Sequence, residues 1–176
     1  MSALVITLIG PDRPGVVRAV SDKASEHGAN WTDSVMANFA GQFAGIVHLQ
    51  VPDHNCEALV AALRAIDSAD LHIQVARADA ATQSPPLRRI ALELVGHDRP
   101  GIIRSISTRL AEHQVSIDKM RTHIASGAMS GEQMFHLAAE LTVPLELDTG
   151  DLREGLEDLA NELMVDITFD SHAIDV

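Results

Sequence analysis

Only one cysteine, Cys56, stands in the 176 residues, so no internal disulfide, CxxC redox pair or cysteine-ligated iron–sulfur cluster can form within the chain. Lying near the start of an apolar helical segment, it reads as a small core residue. Aromatic residues make up 3% of the chain, which leaves few platforms on which nucleic-acid bases could stack. Basic residues are also scarce, 13 against 25 acidic ones, for a formal net charge of −12. Affinity for nucleic acid comes largely from neutralising phosphates, and no Lys/Arg run or basic recognition helix is present, so direct nucleic-acid binding is not expected. The charge reads as a device for solubility. No apolar run approaches the length of a membrane span. The opening MSALVITLIGPDRPG breaks its run at Gly10 and Pro11 and reads as a strand rather than a signal peptide, which points to the cytoplasm and to no membrane partner.

Catalytic and metal motifs are missing too. There is no nucleophile elbow, P-loop or Ser/His/Asp spacing. His48 and His54, or His113 and His123, fall in different elements, and no HxxxH lies on one helix. The expectation is a protein that is not an enzyme and takes no cofactor and no metal.

What the chain does have is a repeat. With 46% hydrophobic residues and a mean hydropathy of +0.08, it can bury one large core or two small ones. Gly10-Pro11-Asp12-Arg13-Pro14-Gly15 returns as Gly96-His97-Asp98-Arg99-Pro100-Gly101, an offset of 86 residues. The match extends to Leu8/Leu94, Arg18/Arg104, Ser21/Ser107, Glu26/Glu112 and His27/His113. It resumes at Val51-Pro52 and Val143-Pro144 with an offset of 92, so the second copy holds six more residues, assigned to a hairpin tip near Ser126 to Gly131. The domain is duplicated.

In copy one the pattern predicts a strand over Ala3 to Ile9, a helix opened by Pro14-Gly15 with Val17, Val20 and Ala24 on its apolar face, and strands over Asn30 to Phe39 and Phe43 to Val51. Ala40-Gly41-Gln42 makes the tight connection. A second helix carrying Leu59, Leu63 and Ile66 and a strand from Leu71 to Ala78 close the unit. Copy two repeats the order: Arg89 to Val95, a helix with Ile103, Ile106 and Leu110, strands near Val115 to Ala125 and Met134 to Val143, a helix with Leu152, Leu156, Leu159 and Leu163, and a strand from Val165 to Phe169. The order βαββαβ predicts an α+β protein of two ferredoxin-like modules, each a four-stranded antiparallel sheet with two helices on one face. The modules are assigned to residues 1–79 and 88–176, joined by a linker over 80–87 that contains the small, polar and Pro-rich AATQSPP. Modules of this size are marginal alone, so contact between them is expected to stabilise both.

The repeated loop invites a functional reading. Pro in the first helical turn sacrifices no hydrogen bond. Asp just before it can accept from the free N–H groups of the helix start. Gly beside it, where Ala would make a better helix, suits close approach by a ligand, whose anionic group would meet the helix N–H donors while Asp takes an ammonium. On this reading Gly15 and Gly101 have right-handed backbone, and a Val at either position would leave folding intact while blocking the ligand. Arg13 and Arg99 are expected on the surface, paired with neighbours or offered to a carboxylate.

A strand followed by G-x-D-R-P-G, a helix ending in Glu-His and a strand opening at Gly28-Ala29-Asn30 closely resemble the ACT domain, in both copies. The resemblance implies small regulatory modules that bind amino acids, usually at an interface between two modules, through the first loop and the start of the second strand. In copy one these candidates are Asp12, Arg13, Pro14, Gly15, Asn30 and Trp31, with Trp31 read mainly as core or interface. In copy two they are His97, Asp98, Arg99, Gly101, Ser116 and Ile117, and Ser in place of Asn weakens the second site. The opening also resembles the first module of formyltetrahydrofolate deformylases, but a second ACT copy follows it here instead of a catalytic domain. A paired-ACT chain looks most like the family of glycine cleavage system transcriptional repressors. That resemblance implies an amino-acid-responsive homodimer, sensing glycine or a similar amino acid and acting through a transcription activator protein. The alternatives are a regulatory subunit of a metabolic enzyme and an interaction module without ligand.

Overall fold

The alternation in Leu4, Ile6 and Leu8 dictates the first element. In an extended chain successive side chains point to opposite faces, so these three share one side and Val5, Thr7 and Ile9 the other. In the computed structural model, which describes residues 1–66, 70–78, 87–127 and 131–170, they lie on β1 (Ser2–Pro11), with all three at 2% exposure or less. Contacts divide the chain into two compact units, Met1–Thr82 and Gln83–Val176.

In the first unit β1 is followed by α1 (Val16–Glu26), β2 (Asn30–Phe39), β3 (Gln42–Val51), a 3-10 turn at Asp53–Asn55, α2 (Cys56–Arg64) and β4 (His72–Ala78). The second holds β5 (Leu87–His97), α3 (Ile102–Glu112), β6 (Ser116–Ser126), β7 (Gln133–Pro144), α4 (Thr149–Leu163) and β8 (Val165–Asp170). The sheets order β2-β3-β1-β4 and β6-β7-β5-β8, with every neighbouring pair antiparallel. This is the ferredoxin-like α+β arrangement that the repeat implied.

Each helix buries one stripe against its own sheet. In α1 the stripe is Val16, Val20 and Ala24, and in α3 Ile102, Ile106 and Leu110. The sequence placed Val17 and Ile103 on these faces, yet they are 41% and 37% exposed. The helices start one residue later than Pro14-Gly15 and Pro100-Gly101 suggested, and their first residues, Val16 and Ile102, complete the i, i+4, i+8 stripe. Cys56 is buried at the first position of α2, the small core residue expected of it.

Turns set the register. Ala40 and Gly41, both at positive φ (51° and 80°), form the two-residue connection of β2 and β3, matching the twist of the paired strands. The equivalent turn of the second unit spans 127–132 and carries the inserted residues; its tip, 128–130, lies outside the described residues, as does most of the linker. Beside the start of β2 and of β6 the register shifts, between Trp31 and Asp33 and again between Ile117 and Lys119. A β-bulge stands at the same place in both copies. Its extra residue is tied to the next strand each time: Thr32 Oγ1 bonds to His48 Nδ1 at 2.6 Å and donates to the His48 carbonyl at 3.0 Å, and Asp118 accepts from Thr142.

The first glycine of each repeated motif is fixed by contact. A Cβ on Gly10 would sit 2.3 Å from the Asp70 carbonyl oxygen, and one on Gly96 2.3 Å from Val165 Cγ1. Both glycines let the closing strand approach β1 or β5. Gly10→Ala is expected to destabilise the protein by about 1–3 kcal/mol, because backbone must move to admit the methyl group. Thermal denaturation would read this as a fall of several degrees, and an unchanged melting temperature would disprove the close-approach role.

Candidate functional site

The second glycine of each motif works differently. Gly15 and Gly101 sit at φ 98°, with ψ −3° and −8°, as the residues that cap α1 and α3. The right-handed backbone expected from the sequence is therefore corrected to a left-handed one. Pro14 fixes its own φ, and the chain must still swing from the sheet edge into a helix lying on the sheet face; a residue at positive φ makes that turn. A Cβ at either glycine would meet nothing within 4 Å, so the requirement is torsional and not a matter of space. Their carbonyls accept the first helical bonds, from Ala19 N–H at 2.9 Å and Ser105 N–H at 3.0 Å.

Asp12 does not cap the helix, contrary to the sequence reading. Neither α1 nor α3 has a side-chain cap or an acidic residue in its first turn, whereas α4 is capped by Asp148, which accepts from Gly150 N–H at 2.8 Å. Asp12 turns to the β2–β3 hairpin: its N–H donates to the Gly41 carbonyl at 3.0 Å and its carboxylate accepts from Asn38 Nδ2 at 2.5 Å. In the second unit the Asp98 N–H donates to the Gln133 carbonyl at 3.0 Å, and His97 Nδ1 lies 3.4 Å from Glu132 Oε2. Ile124 holds the register position of Asn38, opposite Phe135 as Asn38 is opposite Phe43. Arg13 and Arg99 are exposed as expected, but among the described residues neither forms an ion pair, so the expected pairing with neighbours is absent. Pro14 is exposed beside Arg13.

The remaining candidates lie elsewhere. Asn30 and Trp31 pair with Gln50 and Leu49, at the end of β3 remote from Gln42, which pairs with Pro11. Eight residues at about 3.3 Å each separate the two ends by roughly 26 Å, so no single amino acid touches both sets within one unit. Ser116 and Ile117, opposite Thr142 and Leu141, are equally remote from His97, which pairs with Met134. Trp31 is half-buried against the first core, in keeping with its reading as a core residue. Sequence reasoning missed Asn38 and Gly41. The signal was available: β1 and β2 are both antiparallel to β3, so they run parallel, and the end of β1 must meet the end of β2.

The loop thus presents an exposed helix entry with unclaimed N–H donors and positive end-charge, next to a carboxylate held by an amide. Among the described residues no three His, Cys, Asp or Glu side chains gather as a metal group, and no helix is long and apolar enough to cross a membrane.

Fold and loop together define a tandem regulatory module of one known class, and family models agree: ACT domain models match residues 2–76 and 90–162. The chain belongs to the ACT domain family in both halves. Along its length it is similar to the glycine cleavage system transcriptional repressor of Escherichia coli K12, 24% identical over 162 residues, covering 91% of this chain and 85% of that protein. A crystal structure of an unknown protein from Galdieria sulphuraria superposes with a TM-score of 0.81 at 26% identity, covering 96% of this chain and 97% of its own. A second, of a protein assigned as a glycine cleavage system transcriptional repressor, has a TM-score of 0.68 at 21% identity and shares the fold over 96% of each chain.

Gly15→Val now has a revised outcome. A β-branched residue forced to φ near 98° is expected to destabilise the protein by about 2 kcal/mol, with Gly15→Ala nearer 1, where right-handed backbone would have made both nearly neutral. Chemical denaturation of the two variants checks the order.

Proposed function

We propose that this chain is an amino-acid-responsive regulator of transcription, acting on glycine cleavage through a protein partner in the cytoplasm as a homodimer, with no catalytic step and no direct contact with DNA. The observation that carries the ligand reading is the first β1–α1 loop, where an uncapped helix start adjoins a carboxylate oriented by Asn38. The carboxylate of glycine or a similar amino acid would accept from the first N–H groups of α1, and its ammonium would meet Asp12. The second loop keeps Asp98 and Gly101 but has Ile124 where Asn38 stands, so it is the weaker site. The likeness to the E. coli repressor supports the regulatory role, and the charge of −12 supports a protein partner over DNA. Binding shifts the population towards the state that differs in affinity for the activator protein.

Two measurements test this reading. In a thermal-shift screen, an amino acid at about 100 times its Kd adds roughly 2.7 kcal/mol, read as several degrees at about 2–4 °C per kcal/mol. Glycine is expected to produce that shift and Asp12→Ala to abolish it; no stabilisation by any amino acid would leave an interaction module without ligand. In a gel-shift assay at physiological salt, the pure protein is expected to leave DNA unshifted and to change only a complex of DNA with the activator. A sequence-specific shift by the protein alone would overturn the partner-mediated mechanism.

A further inference from the structure

Each sheet carries its helices on one face, no described element of the same unit covers the other, and these two helix-free faces differ in chemistry. On the first, β1 presents Val5, Thr7 and Ile9, β2 presents Val35 and Ala37, and β3 presents Ala44 and Ile46. Ile9, Val35 and Ile46 are 51%, 60% and 54% exposed, and the shallow groove among them holds about 470 Å³. The polar residues of this face flank the patch: Asp33 on β2 and His48 on β3 face each other towards one end of it, and β4 presents His72 and Gln74 along one side.

On the second sheet four of the seven equivalent register positions are polar, while Ala91 and Val95 stand for Val5 and Ile9. Arg121 stands for Val35, the stacked pair His123 and His136 (ring centroids 4.6 Å apart) for Ala37 and Ala44, Glu93 for Thr7 and Ala138 for Ile46. Lys119 and Glu140 pair across this face at 3.1 Å. Water can solvate the second face, while the first exposes a contiguous apolar patch of the kind that marks an interaction site.

We propose that the helix-free face of the first sheet is the interface of a two-fold dimer, covered by the same face of a second copy. The homodimer itself belongs to the functional reading above; the surface that makes it is new. Between two chains that each carry a charge of −12, contact is tolerated only where no charges oppose, and the centre of this face has none. The side chains of the central patch are short and mostly β-branched or Ala, suited to two sheets stacked at about 10 Å. With three strands of ten residues and one of seven, at about 3.3 Å per residue and about 4.8 Å between strands, the whole face covers roughly 600 Å². Two copies would then bury roughly 1,200 Å², above the ~1,000 Å² that a specific interface needs. A face that meets itself is consumed in doing so, which stops growth at two.

Sedimentation equilibrium on the full chain, without ligand or activator, tests the surface separately from ligand binding and from the regulatory role. The wild type is expected at twice the 18.9 kDa chain mass. Ile46→Lys, an exposed position whose change leaves the core untouched, is expected to weaken the dimer by about two orders of magnitude, since symmetry places two unpaired charges in the contact. Ala138→Lys, at the same register position of the second sheet, is expected to leave it intact. Circular dichroism verifies that both variants are folded. A single-chain mass for the wild type at micromolar concentration, a larger assembly, a dimer that survives Ile46→Lys, or one that Ala138→Lys also breaks, would each overturn the proposal.

Discussion

One torsion governs the start of each unit. With Gly15 and Gly101 at φ 98°, the chain leaves a central strand, reverses and enters a helix lying on the sheet. Every later placement follows: the helix must begin at Val16 or Ile102 for the stripe Val16, Val20, Ala24 or its counterpart to face the sheet, and that stripe fills the space above Leu4, Ile6 and Leu8 or Ile90, Leu92 and Leu94. The same turn leaves the helix start without a carboxylate, because the neighbouring Asp12 is drawn to the hairpin. A structural necessity and a binding opportunity thus share one residue, and the glycine is explained by the first before the second is invoked.

The fold was legible because period-two and helical patterns do not depend on tertiary detail. Asn30 to Phe39 is a strand with those very ends, and the order of elements fixed the sheet topology. The site was less legible, for two physical reasons. Backbone handedness at a glycine leaves no trace in a sequence that lacks a side chain there, so Gly15 read as an open approach when its role is torsional. The placement of Asn30 beside the loop came from the resemblance alone, whereas strand direction puts it at the far end of its own sheet and brings Asn38 in its stead.

The two copies have kept what folding requires and diverged where it does not. Gly10 and Gly96 both admit a closing strand, Gly15 and Gly101 both turn the chain, and a bulge recurs at Thr32 and Asp118. The freedom lies on the helix-free faces and in the hairpins: Asn38 against Ile124, Ala37 against His123, a two-residue turn against one of six. Duplication gave one framework two surfaces, and a regulator needs at least two, one for its signal and one for its target.

The pairing of β1 with β4 has a consequence for synthesis. In each unit the first strand takes the last as its neighbour, so the first sheet cannot close until residue 78 has emerged. The look-alike strand β5 follows at once, and β4 could in principle add to it, exchanging partners between repeats. A ribosome working at about 5–20 residues per second needs several seconds more to deliver the strand that β5 itself requires. Mixed α/β domains of this size fold within that interval. Vectorial synthesis therefore gives the first unit time to satisfy its own edges before its rival is complete, a protection that a chain refolded from denaturant, with both repeats present from the start, does not have.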